Sequence, residues 1–220
     1  MNIEAAERAL QLIRSIFPNY QRPHMGTSIS PEARARQLAQ LDEIRLEGYR
    51  PCVIAALACQ GRVGLFHTNR YPGYEFAQGG IELGEIPAET IEREIREEAG
   101  DGFSMDCAWP IEPTFMFEAR METKVKGVLK TSNGTIVSPR GKHYLVYAVP
   151  LQNTDYFPEI QFEWEGESMW KENGGTIQFT GYSWADARAS AKLTRRIQSP
   201  RKQEIVQSAI SSLVSLGFVH

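Results

Sequence analysis

Three carboxylates lie close together at helical spacing near the middle of the chain. Glu94, Glu97 and Glu98 fall within one arc of ~100° on a helix that advances ~100° per residue, and Ile91 and Ile95 lie on the adjoining apolar stripe. Like charges at this spacing repel one another, so the arrangement requires a compensating cation. Carboxylate oxygens suit hard divalent cations, and Mg²⁺ also binds substrate phosphates. We therefore expect a Mg²⁺ site, with Mn²⁺ as the alternative metal.

A glycine-rich loop before this helix favours a metal site over a merely solvated acidic face. Gly79, Gly80 and Gly84 permit tight turns and the close approach of a ligand to the backbone. Glu85 follows them at a position from which it can reach back to the helix. Pro87 predicts the first helical turn, because its missing N–H costs nothing there. Loop and helix together predict a site for a metal ion and a polyphosphate.

Read from Gly79 through Glu85 to residues 93–100, this segment resembles the Nudix box, G-x5-E-x7-R-E-U-x-E-E-x-G-U, where U is an apolar residue. Asp101 departs from the pattern, which has an apolar residue at that position. The resemblance implies an α/β (α+β) fold, a Nudix-type α/β/α sandwich with a mixed sheet. It also implies hydrolysis of a phosphoanhydride bond in a nucleoside diphosphate that is linked to another group.

The resemblance further implies roles for the charged residues of the box. Divalent ions held by Glu94, Glu97 and Glu98, with Glu85 assisting, would bridge pyrophosphate oxygens and lower the pKa of the attacking water. Arg93 is expected to hold Glu85 in place, because a guanidinium group matches a carboxylate bidentately. The expected catalytic residues are Glu94, Glu98 and Arg93. The general base stays open between Glu94, Glu98 and a carboxylate of a later loop.

Two further segments are similar to the bacterial RNA 5′-pyrophosphohydrolases and the related diadenosine polyphosphate hydrolases. Residues 48–51 read Gly-Tyr-Arg-Pro, and residues 74–81 lead into the box as Tyr-Glu-Phe-Ala-Gln-Gly-Gly-Ile. Tyr74 and Ala77 depart from the usual leader of that subgroup, Trp-x-Phe/Met-Pro-Gln-Gly-Gly-Ile. The expected substrate-binding residues are Arg50, Gln78, Gly79, Gly80 and Lys202.

A third segment, residues 178–184, resembles the Glu-Phe-x-Gly-Trp-x-Trp stretch of the same subgroup, in which the glutamate contributes to the metal site. Gln178 replaces that glutamate here, and an amide cannot accept a proton at neutral pH. Gln178 coordinates the metal through its amide oxygen, or one of Glu163, Glu165 and Glu167 takes over this role, or the alignment is shifted. The sequence leaves all three alternatives open.

Basic residues form two clusters that can supply charge to phosphates or can simply be solvated. One surrounds a turn-rich insert and the other lies near the last helix: Lys124, Lys126, Lys130, Arg140 and Lys142, then Arg195, Arg196, Arg201 and Lys202.

The hydrophobic pattern predicts the elements that position these residues. We expect strands at residues 52–58, 63–67, 114–117, 143–149 and 179–184. We expect helices at residues 3–17, from Ser30-Pro31 to Leu46, and after Ser199-Pro200. Asn133-Gly134 predicts a hairpin turn within the insert.

The chain as a whole has 220 residues and 42% hydrophobic composition, which suits one domain at residues 47–220 with a helical extension at 1–46. The extension either packs on the domain or makes a dimer contact, and the oligomeric state stays open. A formal charge of -3 gives no bulk attraction for nucleic acid. Three cysteines without a CxxC pair fit a reducing cytoplasm, and no apolar run approaches the ~18 residues of a membrane span.

We therefore expect a Mg²⁺-dependent hydrolase of 5′-triphosphorylated RNA or of dinucleoside polyphosphates. The first alternative is a pyrophosphatase for nucleotide sugars or other small nucleoside diphosphate compounds, consistent with the altered leader and the added N-terminus. The second is a catalytically weak Nudix-fold module with a binding or regulatory role, for which Gln178 and Asp101 are the evidence.

Overall fold

The computed structural model describes residues 29–68, 74–99, 113–151, 179–197 and 199–220. The helix expected at residues 3–17 lies outside these ranges. The described helices are α1 (Pro31–Leu46), α2 (Pro87–Ala99), α3 (Ala187–Leu193) and α4 (Pro200–Ser215), with a 3₁₀ turn at Thr194–Arg196. The described strands are β1 (Tyr49–Cys59), β2 (Arg62–Thr68), β3 (Tyr74–Glu75), β4 (Ala77–Gly80), β5 (Thr114–Glu122), β6 (Leu129–Lys130), β7 (Ile136–Val137), β8 (Gly141–Pro150) and β9 (Phe179–Ala185).

Seven of these strands form one mixed sheet whose central member is β1. Strand β1 pairs with β8 in parallel, and β8 pairs with β5 antiparallel. The other edge of β1 is shared, because Leu57–Cys59 pair with β2 and Cys52–Ala55 pair with β4, both antiparallel. Strand β2 also pairs with β3 and β9. The short strands β6 and β7 form a separate hairpin, as Asn133-Gly134 predicts.

Both faces of the sheet are covered, which explains why β1 is apolar at nearly every position. Alternate residues of β1 point to opposite faces, so Val53 packs with Leu41 of α1 and with Ile91 and Ile95 of α2. On the other face, Ile54 packs in the core that contains the apolar side of α4. The α/β/α sandwich with a mixed sheet is therefore confirmed.

All five predicted strands are longer in the structure, and β1 and β5 are extended most. Strand β1 begins at Tyr49, because its pairing with β8 starts at Tyr49 opposite Gly141. Strand β5 continues to Glu122, although its residues beyond Phe117 alternate between exposed and partly buried. The hydrophobic run that signals a strand covers only the part of β5 that is buried. Pairing with β8 extends the strand beyond it.

Helix α1 packs directly on the sheet and on the loop after β4. The Ser30 hydroxyl caps its first turn by accepting a hydrogen bond from the backbone N–H of Ala33 at 3.2 Å. Leu41 is buried in the core on the α2 side of the sheet. The segment before residue 47 is expected to pack on the domain or to make a dimer contact. Its described part packs on the domain. No helix in the described ranges is long and apolar enough to cross a membrane.

Candidate functional site

Helix α2 places two of the predicted carboxylates at the edge of the sheet. Ile91 and Ile95 have no exposed surface and fix the rotation of the helix against the core. Glu94 then lies at the boundary of the core and is 8% exposed, whereas the side chain of Glu97 is 57% exposed. The side chain of Glu98 lies outside the described residues. The two described carboxylates therefore differ sharply in solvation.

Arg93 connects these carboxylates to the preceding loop. Its Nε and Nη2 donate to Oε1 and Oε2 of Glu85 at 2.8 and 3.0 Å, which is the bidentate contact the sequence predicts. Its Nη1 donates to Glu94 at 2.6 Å and reaches Glu97 at 3.4 Å. Its Nη2 also donates to the carbonyl oxygen of Gly80 at 3.0 Å. One guanidinium group thus joins α2, the loop and the end of β4, and these charges raise the pKa of Arg93.

Glu85 uses both of its carboxylate oxygens to hold the loop. Besides Arg93, its Oε2 accepts hydrogen bonds from the backbone N–H of Glu82 at 3.1 Å and from the Thr90 hydroxyl at 2.9 Å. The hydrogen bonds from Arg93 are the main reason that the pKa of Glu85 lies below its usual value. Glu85 therefore closes the loop on the helix, and its oxygens point at protein donors.

Glu94 lies against the backbone of β4 at the first glycine of the motif. A Cβ on Gly79 would fall 1.8 Å from Oε1 of Glu94 and 2.1 Å from Oε2, so only glycine leaves room for this carboxylate. Burial raises the pKa of Glu94, and Arg93 opposes that shift. The structure thus brings Gly79, Gly80, Arg93 and Glu94 together.

The side chain of Arg50, in β1, lies over the next residue of β4, Gly80. A Cβ on Gly80 would lie 2.5 Å from Nη2 of Arg50, so the exposed guanidinium group lies directly over Gly80. Arg50, Lys142, Lys202 and Glu94 all act electrostatically on the buried thiol of Cys52, which pairs with Gly80 in the sheet. Arg50 and Lys202, the cations expected to bind phosphate, therefore both act electrostatically on the Cys52–Gly80 pair.

Lys202 and Gln78 each contact Glu75, which the sequence does not predict. Both donate to Oε2 of Glu75, Lys202 through its ammonium group and Gln78 through its side-chain amide at 2.7 Å. Glu75 is buried, and a buried carboxylate requires such partners. Lys202 is accordingly held close to the site by an ion pair. A glutamate between Tyr74 and Phe76 is the sequence signal for this contact.

Helix α1 contributes two arginines that sequence reasoning missed. Buried Arg45 donates from Nη2 to the carbonyl oxygens of Ile81 and Glu82 at 3.2 and 3.1 Å. Arg34 donates to the carbonyl oxygen of Gly84 at 2.8 Å and forms an ion pair with Glu89 at 2.5 Å. These contacts hold the loop that carries Glu85. Glu89 is thus exposed and paired.

The donor chemistry of the site fits a divalent cation. Glu94 and Glu97 present carboxylate oxygens on one face of α2, and oxygen donors suit Mg²⁺ or Mn²⁺. Within the described ranges, no three His, Cys, Asp or Glu side chains converge as a ready-made metal site. Arg93 lies between Glu85 and the helix carboxylates, and its single positive charge offsets only part of their negative charge. Gln178 and the three glutamates proposed to replace it lie outside the described residues.

Comparisons with known proteins converge on one family. The NUDIX domain model matches residues 48–169, which is more than half of the chain. The RNA pyrophosphohydrolase of Xylella fastidiosa (strain 9a5c) is 42% identical over 55 residues, which are 24% of this chain and 29% of that relative. The chain therefore matches less than a third of the length of this relative. Helix α1, with Arg34 and Arg45, precedes the matched domain.

Several solved structures are similar to this one. The E. coli dihydroneopterin triphosphate pyrophosphohydrolase has a TM-score of 0.47 and 17% identity, over 76% of this chain and 97% of its own. The C. elegans Ap4A hydrolase has a TM-score of 0.45 and 9% identity, over 76% and 97%. The Bacillus subtilis pyrophosphohydrolase BsRppH has a TM-score of 0.44 and 14% identity, over 78% and 85%.

Proposed function

Because the chain belongs to the Nudix hydrolase family, we propose that it hydrolyses a phosphoanhydride bond in 5′-triphosphorylated RNA or in a dinucleoside polyphosphate. The observation that carries this proposal is the contact of Glu94 with Gly79, held by Arg93, next to Gly80, which the cation Arg50 covers. A carboxylate for a metal ion and a cation for phosphates thus flank two consecutive residues of β4, one on each face of the sheet.

The charged residues of the box have separate roles in the proposed reaction. Glu94, Glu97 and Glu98 would hold Mg²⁺ or Mn²⁺, which supplies charge for the pyrophosphate oxygens and lowers the pKa of water. Arg93 is a positioning residue, since it links Glu94 to the loop through Glu85. Glu85 holds that loop closed through Glu82 and Thr90. A rigid reaction centre of this kind keeps the reacting groups at fixed distances.

The substrate preference is supported by the positive charge around β4. Arg50 and Lys142 lie near the Cys52–Gly80 pair, and Arg50 is exposed. A polyphosphate or an RNA 5′ end presents more negative charge than a sugar diphosphate and gains more from these cations. The name of the Xylella fastidiosa relative is consistent with this preference.

A second candidate is a pyrophosphatase for small nucleoside diphosphate compounds. The ion pair between Lys202 and Glu75 favours it, because a cation that neutralises a buried carboxylate offers less charge to a long polyphosphate. A nucleoside diphosphate compound needs fewer cations at the site.

A substrate panel tests both candidates and the alternative of a catalytically weak binding module. We would assay the wild type with Mg²⁺ and with Mn²⁺ on triphosphorylated RNA, diadenosine tetraphosphate, ADP-ribose and a UDP-sugar. Faster cleavage of the polyphosphate substrates supports the proposal. Faster cleavage of ADP-ribose or the UDP-sugar would promote the second candidate, and no turnover of any substrate would favour the binding module.

Glu97→Gln tests the metal site within the same panel. We expect at least a ~100-fold loss of rate with an intact fold, because an exposed carboxylate is replaced by an isosteric amide. Mg²⁺ should also raise the melting temperature of the wild type more than that of this variant. The matched control is Glu92→Gln, the same change on another face of α2, which should keep its activity. Equal rates for Glu97→Gln and the wild type would reject the assignment.

A further inference from the structure

Helix α1 precedes the residues that the family model matches, yet its side chains contact a loop at the reaction centre. The match begins at residue 48, and α1 ends at Leu46. The loop runs over residues 81–86, joins β4 to α2 and carries Glu85. The proposed reaction assigns no role to α1. If these contacts matter for hydrolysis, the reaction centre extends beyond the family domain.

Arginine side chains hold the backbone of this loop through its carbonyl oxygens. Arg93 of α2 donates to the residue before the loop at 3.0 Å. Arg45 of α1 donates from Nη2 to the next two carbonyl oxygens at 3.2 and 3.1 Å, and Arg34 donates to a fourth at 2.8 Å. The four acceptors are Gly80, Ile81, Glu82 and Gly84. Hydrogen bonds from a charged donor are about twice as strong as neutral ones, and α1 supplies three of these four.

Arg34 also holds the first turn of α2. Its two terminal nitrogens bind the two carboxylate oxygens of Glu89, and Nη2 lies 3.0 Å from Oε2. The same Oε2 accepts a hydrogen bond from the backbone N–H of Ile86 at 3.1 Å, so Glu89 caps the start of the helix. Arg34 therefore binds the chain on both sides of Glu85, at Gly84 before it and at Glu89 after it.

The position of the loop is transmitted to the carboxylates of α2 through Arg93. The carbonyl oxygen of Glu82 accepts from Arg45, and its N–H donates to Glu85 at 3.1 Å. Glu85 binds Arg93, which donates to Glu94 at 2.6 Å. Because these contacts are continuous, a shift of the loop would displace the guanidinium group that orients Glu94. A displacement of ~1 Å at a reaction centre can cost ~100-fold in rate.

Helix α1 is itself anchored on two sides. Leu41 is buried and packs in the core that contains the apolar side of α2. Asp42 forms an ion pair with Arg45 at 3.0 Å and accepts a hydrogen bond from the backbone N–H of Ser132, in the insert, at 2.9 Å. Side chains that are locked by packing and by further hydrogen bonds hold a site at defined geometry. Helix α1 is therefore a rigid support for the loop.

We propose that α1 is part of the reaction centre and that Arg34 and Arg45 are positioning residues for hydrolysis. They fix the loop so that Glu85 and Arg93 keep Glu94 in place, and they act through the loop rather than on the substrate. This role rests on the proposed hydrolase function. It makes the rate of the reaction depend on residues that lie before the family domain.

Arg34→Met tests this role in a stable protein. The side chains of Arg34 and Glu89 are 35% and 44% exposed, and an ion pair at such a position contributes little to global stability. We expect kcat for the best substrate of the panel to fall about 10-fold. A larger loss is not expected, because Arg93 and Thr90 still hold Glu85. KM should stay within ~3-fold and Tm within ~3 °C of the wild type, since neither substrate contacts nor the core change.

Arg36→Met is the matched control, the same change on the same helix. Arg36 is exposed, and its charge acts on Glu32 within α1. Its kcat should stay within ~2-fold of the wild type, as is usual for a surface charge. An unchanged kcat in Arg34→Met would overturn the proposal. An equal fall in the control would also overturn it, because the loss would then reflect the charge of α1 and not its hold on the loop.

A double variant tests whether Arg34 acts through Glu85. In Glu85→Gln, the link from the loop to Arg93 is already weakened, so adding Arg34→Met should lower kcat by less than ~3-fold. The full ~10-fold loss in both backgrounds would overturn the proposal, because Arg34 would then act independently of Glu85.

Hydrogen exchange of the full-length protein separates failure of this role from failure of the proposed function. In Arg34→Met, the amides of Glu82 and Ile86, which donate within the loop, should exchange at least ~10-fold faster, and those of β1 and β8 should stay within ~2-fold. This local change without turnover of any substrate would reject only the hydrolase function. Unchanged exchange in the loop, or an equal rise throughout the protein, would overturn the role of α1.

Discussion

Replacing Gly79 with alanine is expected to remove most of the hydrolytic activity and to leave the fold intact. The new Cβ would lie 1.8 Å from both Cδ and Oε1 of Glu94. The carboxylate must then retreat by about 1.5 Å before ordinary contact is restored, and a displacement of ~1 Å at a reaction centre can cost ~100-fold in rate. We expect kcat to fall at least ~100-fold, equivalent to about 2.7 kcal/mol of transition-state stabilisation.

The assay is steady-state hydrolysis of the best substrate of the panel, with thermal unfolding as the check on folding. Gly84→Ala is the control from the same loop. Gly84 has φ of +88°, and a methyl group added there would have no heavy atom within 4 Å, so this variant carries backbone strain without a clash. It should lose ~1–2 kcal/mol of stability and keep most of its kcat. A Gly79→Ala enzyme as fast as the wild type, or equal losses in both variants, would refute the reasoning.

Three further outcomes concern stability. The pKa of Glu85 lies below its usual 4.5, so its contribution to stability is complete above pH 4.5 and is lost as the pH falls through the lower pKa of the folded state. In Glu85→Gln, the free energy of unfolding should therefore decrease less steeply below pH 4.5 than in the wild type. Lys202→Met should destabilise the fold by roughly 3 kcal/mol in thermal or urea unfolding, because it leaves the buried Glu75 carboxylate without its cation, and adding Glu75→Gln should recover part of that loss. Arg45→Met should cost about 2 kcal/mol, because it leaves the loop carbonyl groups without their donor. Equal pH profiles, or unchanged unfolding midpoints, would contradict these expectations.

The local pattern predicted the helices and most of the strands around the site, but Gly79 and Gly80, expected in a loop, form strand β4 through their pairing with β1. Pro87 and Pro200 start helices where the sequence predicts, and the alternating and continuous apolar runs mark the central strands. The contact between Arg93 and Glu85 also followed from residue types at short range, because a loop closed on the next helix leaves few other partners. These features depend on neighbours in the chain, and periodicity and spacing describe neighbours well.

Contacts between distant segments could not be predicted in this way. Arg45 lies 36 residues from Ile81, and nothing in its own helix marks it as a support for the loop. Lys202 reads as a surface cation in a basic cluster, yet the packing of α4 brings it to the buried carboxylate of Glu75. Because each of these side chains is satisfied by a partner from another element, its role is set only when the elements pack.

The sequence by itself determined the family, the helix that carries the carboxylates and the glycines on which they depend, since these are encoded within one short segment. Only the tertiary structure decided that Glu94 lies buried over Gly79 while Glu97 faces solvent. The packing of Ile91 and Ile95 sets that rotation of the helix. Tertiary structure also brings Arg50, Leu83 and Lys126 to one concave surface, because they come from separate segments of the chain.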